Sequence, residues 1–155
     1  MHIFIMRHGE AAFYAASDRE RPLTARGQEQ AQQQGEWLQQ QGWQPDFMLV
    51  SPYLRAQQTY QQVCKALNIA ENGENWDNWD NLTPYGNAYL VADYLDTLTK
   101  DGIKNVLLIS HLPLVDDIVQ ALGVTQAIAF HTATLVEINY TNGKGTLLQI
   151  KQPDI

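Results

Sequence analysis

With 155 residues, 45% of them hydrophobic, and no long polar tract, the chain is long enough to bury a core and too apolar to stay disordered, so one domain over 1–155 is expected. A formal charge of −7 argues against a nucleic-acid partner, because phosphate backbones are held by a surplus of lysine and arginine; any anion has to be bound by local groups. The lone cysteine, Cys64, excludes an internal disulfide. The absence of a basic leader and of any run of about 18 apolar residues predicts a cytoplasmic protein without membrane contact.

Taken in chain order, Ile3-Phe4-Ile5-Met6 is a run of β-formers that ends in Arg7-His8-Gly9-Glu10. This predicts a buried strand delivering a charged pair to its C-terminal end, where open α/β sheets place their ligands. Glu10 to Leu23 lacks periodicity and carries Ser17, Asp18, Arg19, Glu20, Arg21 and Pro22, which predicts a long loop of the kind that is usually functional or disordered. Thr24 is the expected N-cap of a helix from about Ala25 to Gln41, with Ala31, Gly35 and Leu38 inward, glutamines outside and Gly42 closing it.

Phe47-Met48-Leu49-Val50 is the second strand, and Ser51-Pro52 predicts a helix start, serine as N-cap and proline at the first helical position. That helix runs to about Leu67 and keeps Cys64 as a packing residue. Arg55 falls in its first turn, where the guanidinium and the orphan amides can face one anion. Asn68 to Asn87 is polar, with at most one short strand near its middle. A third helix, Ala88 to Lys100, is expected to turn Leu90, Val91, Tyr94, Leu95 and Leu98 inward. The strand Val106 to Ser110 then hands over to His111, and Pro113 opens a fourth helix ending near Gly123. Asp116 and Asp117 sit in its first turn, where carboxylates favour the dipole. Asn142-Gly143 suits a type I′ turn closing a hairpin between Thr134 to Tyr140 and Gly145 to Ile150.

Three strand ends and the first loop thus supply Arg7, His8, Arg21, Arg55 and His111. Guanidinium groups bind phosphate oxygens in pairs and neutralise a transferring group. A neutral imidazole can attack phosphorus in line, splitting hydrolysis into two displacements through a phosphohistidine. The set therefore points to phosphoryl transfer. No cysteine cluster, His-x-x-x-His or Asp-x-Asp pattern supports a metal, and no glycine-rich loop forms a nucleotide cradle, since Gly143-Lys144-Gly145 falls in the hairpin. His2 and His131 are read as structural and Arg19 as a surface charge; Trp76, Trp79 and Tyr85 either cover the core or form a substrate lip.

Arg7-His8-Gly9, Ser51-Pro52-x-x-Arg55 with Thr59 following, and the late Ser110-His111 resemble the histidine phosphatase superfamily, which includes the cofactor-dependent phosphoglycerate mutases. Phe4 to Ala11, Ala15-Ala16-Ser17-Asp18, Arg21-Pro22-Leu23-Thr24 and Ser110 to Val115 are similar, more narrowly, to the SixA-type phosphohistidine phosphatases. The resemblance implies an α/β fold, a three-layer α/β/α sandwich around a mostly parallel sheet, and a reaction without metal or cofactor. It makes His8 the nucleophile, Arg7 and Arg55 the main phosphate clamp, Arg21 an additional clamp, and His111 an electrostatic partner of the phosphoryl group.

The implied substrate is a phosphohistidine on a histidine phosphotransfer domain or a phosphocarrier protein, acted on by a monomer in signal transduction. The connection from Asn68 to Asn87 leaves little material for a lid over a small substrate, in keeping with that. The alternatives are a small-molecule phosphomonoesterase or mutase, and a non-catalytic phosphate-binding adaptor, against which the presence of His8 speaks. In related enzymes a glutamate commonly precedes Leu-Thr-Pro and a carboxylate from this segment protonates the leaving group. Here Asn81 occupies that position, and Asp18, in the matched Ala-Ala-Ser-Asp stretch, is the expected replacement ahead of Asp80.

Overall fold

Phe4 and Met6 leave the first strand on one side and Ile3 and Ile5 on the other, and the same alternation on its neighbours divides the interior into two apolar layers. The computed structural model describes residues 1–155. It contains the strands β1 (His2–Arg7), β2 (Phe47–Val50), β3 (Trp76–Asn78), β4 (Asn105–Ser110), β5 (Leu135–Thr141) and β6 (Lys144–Lys151). The helices are α1 (Ala25–Gln40), α2 (Leu54–Leu67), α3 (Ala88–Lys100) and α4 (Leu114–Ala121). No helix is long and apolar enough to cross a membrane.

The sheet order is β3-β2-β4-β1-β5-β6. The first four strands run parallel and β5 and β6 add an antiparallel flank. The chain steps outward from β1 to β2 and β3, then returns to place β4 between β2 and β1. Right-handed crossovers make such a reversal switch faces. Leu38 of α1 and Tyr60, Val63 and Leu67 of α2 therefore pack on Phe4, Met6, Val50 and Ile109. Val91 and Leu95 of α3 and Val115 and Ile118 of α4 pack on Ile3, Ile5, Leu49 and Leu108. This is the expected three-layer sandwich, with a sheet that is mostly but not purely parallel.

The reversal also leaves three strand ends side by side. Arg7 pairs with Ser110 and Val50 with Ile109, so His8, His111 and Ser51 all emerge at one edge. Beneath them α1 begins where Thr24 accepts the Gly27 N–H at 3.0 Å. Here two glycines permit a close approach: a Cβ on Gly27 would lie 2.0 Å from the Glu10 carbonyl oxygen, and one on Gly9 2.5 Å from the Gly27 oxygen. The hairpin turn has φ of 54° at Asn142 and 75° at Gly143, the positive pair that a type I′ turn requires.

Three expectations need correction. The second helix begins at Leu54 with Tyr53 as its cap residue, not at Ser51-Pro52; the Ser51 oxygen accepts the Tyr53 N–H at 3.2 Å in the turn ahead of it. The first loop is not structureless: Ala11 and Leu23 form an antiparallel bridge, and Asp18–Glu20 make a 3-10 turn. Leu90 is exposed, while Val91, Leu95 and Leu98 are buried; a stripe stepping by three and four residues through 91 places 90 off the core face. Trp76 stacks on Tyr60 at 4.9 Å and Trp79 meets Tyr94 edge-on at 5.2 Å, so both tryptophans cover the core, whereas Tyr85 is 87% exposed.

Candidate active site

His8 follows β1 directly and is buried. Its Nδ1 lies 2.7 Å from the Gly9 carbonyl oxygen, an atom that can only accept, so Nδ1 carries the hydrogen and Nε2 keeps a bare lone pair. Consistently, Arg55 Nε–H donates to that Nε2 at 3.3 Å. The turn is anchored by the Gly9 N–H on Thr59 Oγ1 at 3.1 Å, while the Thr59 hydroxyl donates to the Arg55 carbonyl at 2.8 Å. Burial pushes the His8 pKa down to about 3; the Gly9 hydrogen bond opposes the shift and the charges of Arg55, Arg7 and Arg21 add to it. His8 is therefore a neutral imidazole whose unprotonated Nε2 accepts only the long hydrogen bond from Arg55.

Three arginines surround it. Arg7 ends β1, donates from Nη1 to the Phe130 carbonyl at 3.0 Å, and has a buried Nε–H with no partner in the protein. Arg55, in the first turn of α2, donates from Nη1 to the Asp18 carbonyl at 2.6 Å and from Nη2 to the Asp18 carboxylate at 3.3 Å. Arg21 donates from Nε to the other carboxylate oxygen of Asp18 at 2.8 Å and from Nη1 to the Ala12 carbonyl at 2.9 Å. Burial alone would raise the Asp18 pKa, but the Arg21 hydrogen bond and the charge and hydrogen bond of Arg55 outweigh it and hold the carboxyl below its ordinary range. An ionised carboxylate has no proton to give; as placed, Asp18 is a counter-ion of the arginines.

His111 follows β4. Its ring centroid is 5.0 Å from that of His8, its Nε2 is 2.7 Å from Ser51 Oγ, and its Nδ1 is buried without a partner. Burial, then His8 and the three arginines, push its pKa down to about 2, so this ring too is neutral.

Arg7, His8, Arg21, Arg55 and His111 all line one cleft of about 460 Å³, shared with Phe13 and Leu112 at its apolar side. Phe13 is 88% exposed and Leu112 39%. Sequence reasoning missed this lip; the only signal was Phe13-Tyr14, two aromatics in a loop without apolar periodicity. Neither Asn81 nor Asp80 lines the cleft. Asn81 instead donates from Nδ2 to the Asn87 carbonyl at 3.0 Å and accepts the Asn87 N–H at 2.8 Å, which fixes the approach to α3. His2 meets Glu137 at 3.6 Å, away from the site. Arg19 is exposed, as expected of a surface charge, with its guanidinium 5.6 Å from the Tyr53 ring centroid. No group of three or more His, Cys, Asp or Glu side chains is placed to hold a metal ion.

Comparison with known proteins finds that the pattern of the histidine phosphatase superfamily (branch 1) matches residues 3–84. The chain is 45% identical over 154 residues to the phosphohistidine phosphatase SixA homolog of Haemophilus influenzae, covering 96% of this chain and 93% of the relative. It is 42% identical over 149 residues to phosphohistidine phosphatase SixA of Escherichia coli K12, covering 94% and 90%. Among solved structures, that of the protein histidine phosphatase SixA complexed with tungstate is similar at a TM-score of 0.93 and 39% identity, over 99% of this chain and 97% of that one.

Proposed function

The chain belongs to the histidine phosphatase superfamily (branch 1), and from that premise we propose that it is a phosphohistidine phosphatase, a hydrolase that removes phosphoryl groups from histidine on another protein. The observation that carries this reading is the fixed tautomer of His8: Nδ1–H is given to Gly9, and Nε2 is left unprotonated, accepting from Arg55, in a cleft lined by three arginines. Nε2 attacks phosphorus in line; the P–N bond to the substrate imidazole breaks and that ring leaves, having taken a proton from water. Water then attacks the phosphoryl group on His8 and the P–Nε2 bond breaks; the proton that this water releases neutralises the hydroxide left when the substrate ring was protonated, so that hydrogen phosphate and a neutral His8 remain. Arg7, Arg55 and Arg21 hold the phosphoryl oxygens, supplying the positive charge that a cation supplies elsewhere, so the reaction needs no metal.

The leaving group fits what surrounds it. An alkoxide departs poorly without an acid, whereas an imidazole, whose conjugate acid has a pKa of about 6.5, departs readily once protonated. Asp18 is ion-paired and Asn81 is tied to Asn87, which favours phosphohistidine over the phosphomonoester of the alternative reading. The protein partner is a histidine phosphotransfer domain or a phosphocarrier, met in the cytoplasm by a monomeric enzyme in signal transduction.

The test is kcat/KM for a phosphohistidine protein against alkyl phosphate esters, with and without EDTA. The phosphohistidine protein should be strongly preferred and chelation should change nothing; esters turned over as efficiently would transfer support to the small-molecule phosphomonoesterase.

A further inference from the structure

His111 Nε2 and Ser51 Oγ lie 2.7 Å apart and both residues are buried. Two arrangements fit that distance: the Ser51 O–H donates to a bare Nε2, or Nε2–H donates to the Ser51 oxygen. The hydrogens of Ser51 separate them. Its oxygen already accepts the Tyr53 N–H at 3.2 Å, and its own hydrogen has no acceptor in reach other than His111. With Nε2 protonated, the hydroxyl hydrogen would be buried and unreceived, which native interiors avoid. With Ser51 donating, that hydrogen is satisfied, and the single proton of the neutral ring has to sit on Nδ1. The two ring nitrogens point to roughly opposite sides, so a ring whose Nε2 is turned onto Ser51 presents Nδ1 away from it. Nδ1 is buried without a protein partner, and His111 lines the cleft.

We propose that Ser51 is a positioning residue that locks His111 in the Nδ1–H tautomer, so that this neutral ring donates a hydrogen bond to the phosphoryl group in the cleft. The proposal rests on the reading that the cleft receives a phosphoryl group. It is compatible with the local turn, since the Ser51 oxygen goes on accepting the Tyr53 N–H while its hydrogen goes to His111. It also gives the two histidines complementary chemistry from one tautomer: Gly9 makes His8 offer a lone pair, and Ser51 makes His111 offer a hydrogen. The neutral state that burial and the arginines impose on His111 is then a working state, because the ring donates without adding to a site already rich in positive charge.

Imidazole 15N NMR of the intact chain reads the tautomer directly, with no turnover required. In the wild type, His111 Nδ1 should show a protonated nitrogen shift and Nε2 a bare one, and saturating orthophosphate should move the Nδ1–H resonance. Ser51→Ala should release the tautomer towards Nε2–H and lower kcat for phosphoramidate about tenfold or more, while Ser51→Thr, which keeps the hydroxyl, restores both. A wild-type His111 protonated on Nε2 overturns the proposal, as does an Nδ1–H resonance indifferent to orthophosphate. A folded Ser51→Ala protein with an unchanged tautomer and rate overturns it too; if that variant does not fold, the wild-type spectrum decides. A chain that binds orthophosphate at Nδ1–H yet fails to hydrolyse phosphohistidine would count against the functional reading and leave the tautomer assignment standing.

Discussion

Arg55 grips Asp18 twice, with Nη1 on its backbone oxygen at 2.6 Å and Nη2 on its carboxylate at 3.3 Å. The carboxylate thus engages the same guanidinium that a phosphoryl oxygen would, and Arg21 holds its other oxygen at 2.8 Å. An incoming phosphate would compete with Asp18. In Asp18→Asn the competing charge is removed, and orthophosphate should inhibit at several-fold lower concentration, with phosphohistidine kcat within about threefold of wild type. A collapse of kcat at unchanged phosphate affinity would make Asp18 the proton donor expected from the sequence.

Arg55→Lys keeps a cation and loses a fork. The guanidinium reaches His8 Nε2 through Nε and Asp18 through both terminal nitrogens, a geometry that one ammonium cannot reproduce. kcat/KM should fall on the order of a hundredfold. Near-normal turnover in this variant would argue that only its charge matters.

Stability should depend on pH through His8 and His111. Their folded pKa values, about 3 and about 2, lie below the unfolded value of about 6.5. Between these limits the unfolded chain binds protons that the folded chain does not. Stability is therefore full above about pH 6.5 and is lost as pH falls towards the folded values, by at most about 1.4 kcal/mol per pH unit for each ring. Tm followed from about pH 7 to about pH 4.5 should drop less steeply in His111→Gln than in the wild type; parallel curves would contradict the buried neutral state.

Phe13 and Leu112 border the cleft that holds the proposed nucleophile. An exposed aromatic at that rim offers a face to the substrate's imidazole and to the protein surface that carries it. Phe13→Ala should raise KM for a phosphohistidine protein about fivefold or more, with phosphoramidate, which has no ring, unaffected. Equal losses on both substrates would assign Phe13 to loop structure.

The parts of the fold that could be read in advance are those set by neighbours in sequence. β2 and α3 have the predicted limits, and Thr24 caps α1, because apolar period and capping side chain act within a few residues. Ser51 could not be read this way. Its local signal is a helix start, and its oxygen does accept the Tyr53 N–H, but its other partner, His111, stands 60 positions away. The order in the first loop was hidden for the same reason, since Asp18 is held by Arg55 from another element. Arg7, His8, Arg55 and His111 were legible as a group because each lies at a strand end or in the turn of chain just after one, and strand order then brings those ends together. Arg21 depended more on the resemblance, and the lip formed by Phe13 depends on how the bridge between Ala11 and Leu23 projects the loop between them.

The central claim is that His8 Nε2 becomes the phosphoryl carrier. Rapid quenching of a reaction with a 32P-labelled phosphohistidine protein should trap an acid-labile, base-stable phosphoryl group on this chain, mapped to His8, and His8→Ala should show neither label nor more than about a thousandth of the wild-type rate. Label on another residue, or turnover by His8→Ala near the wild-type rate, would contradict the account.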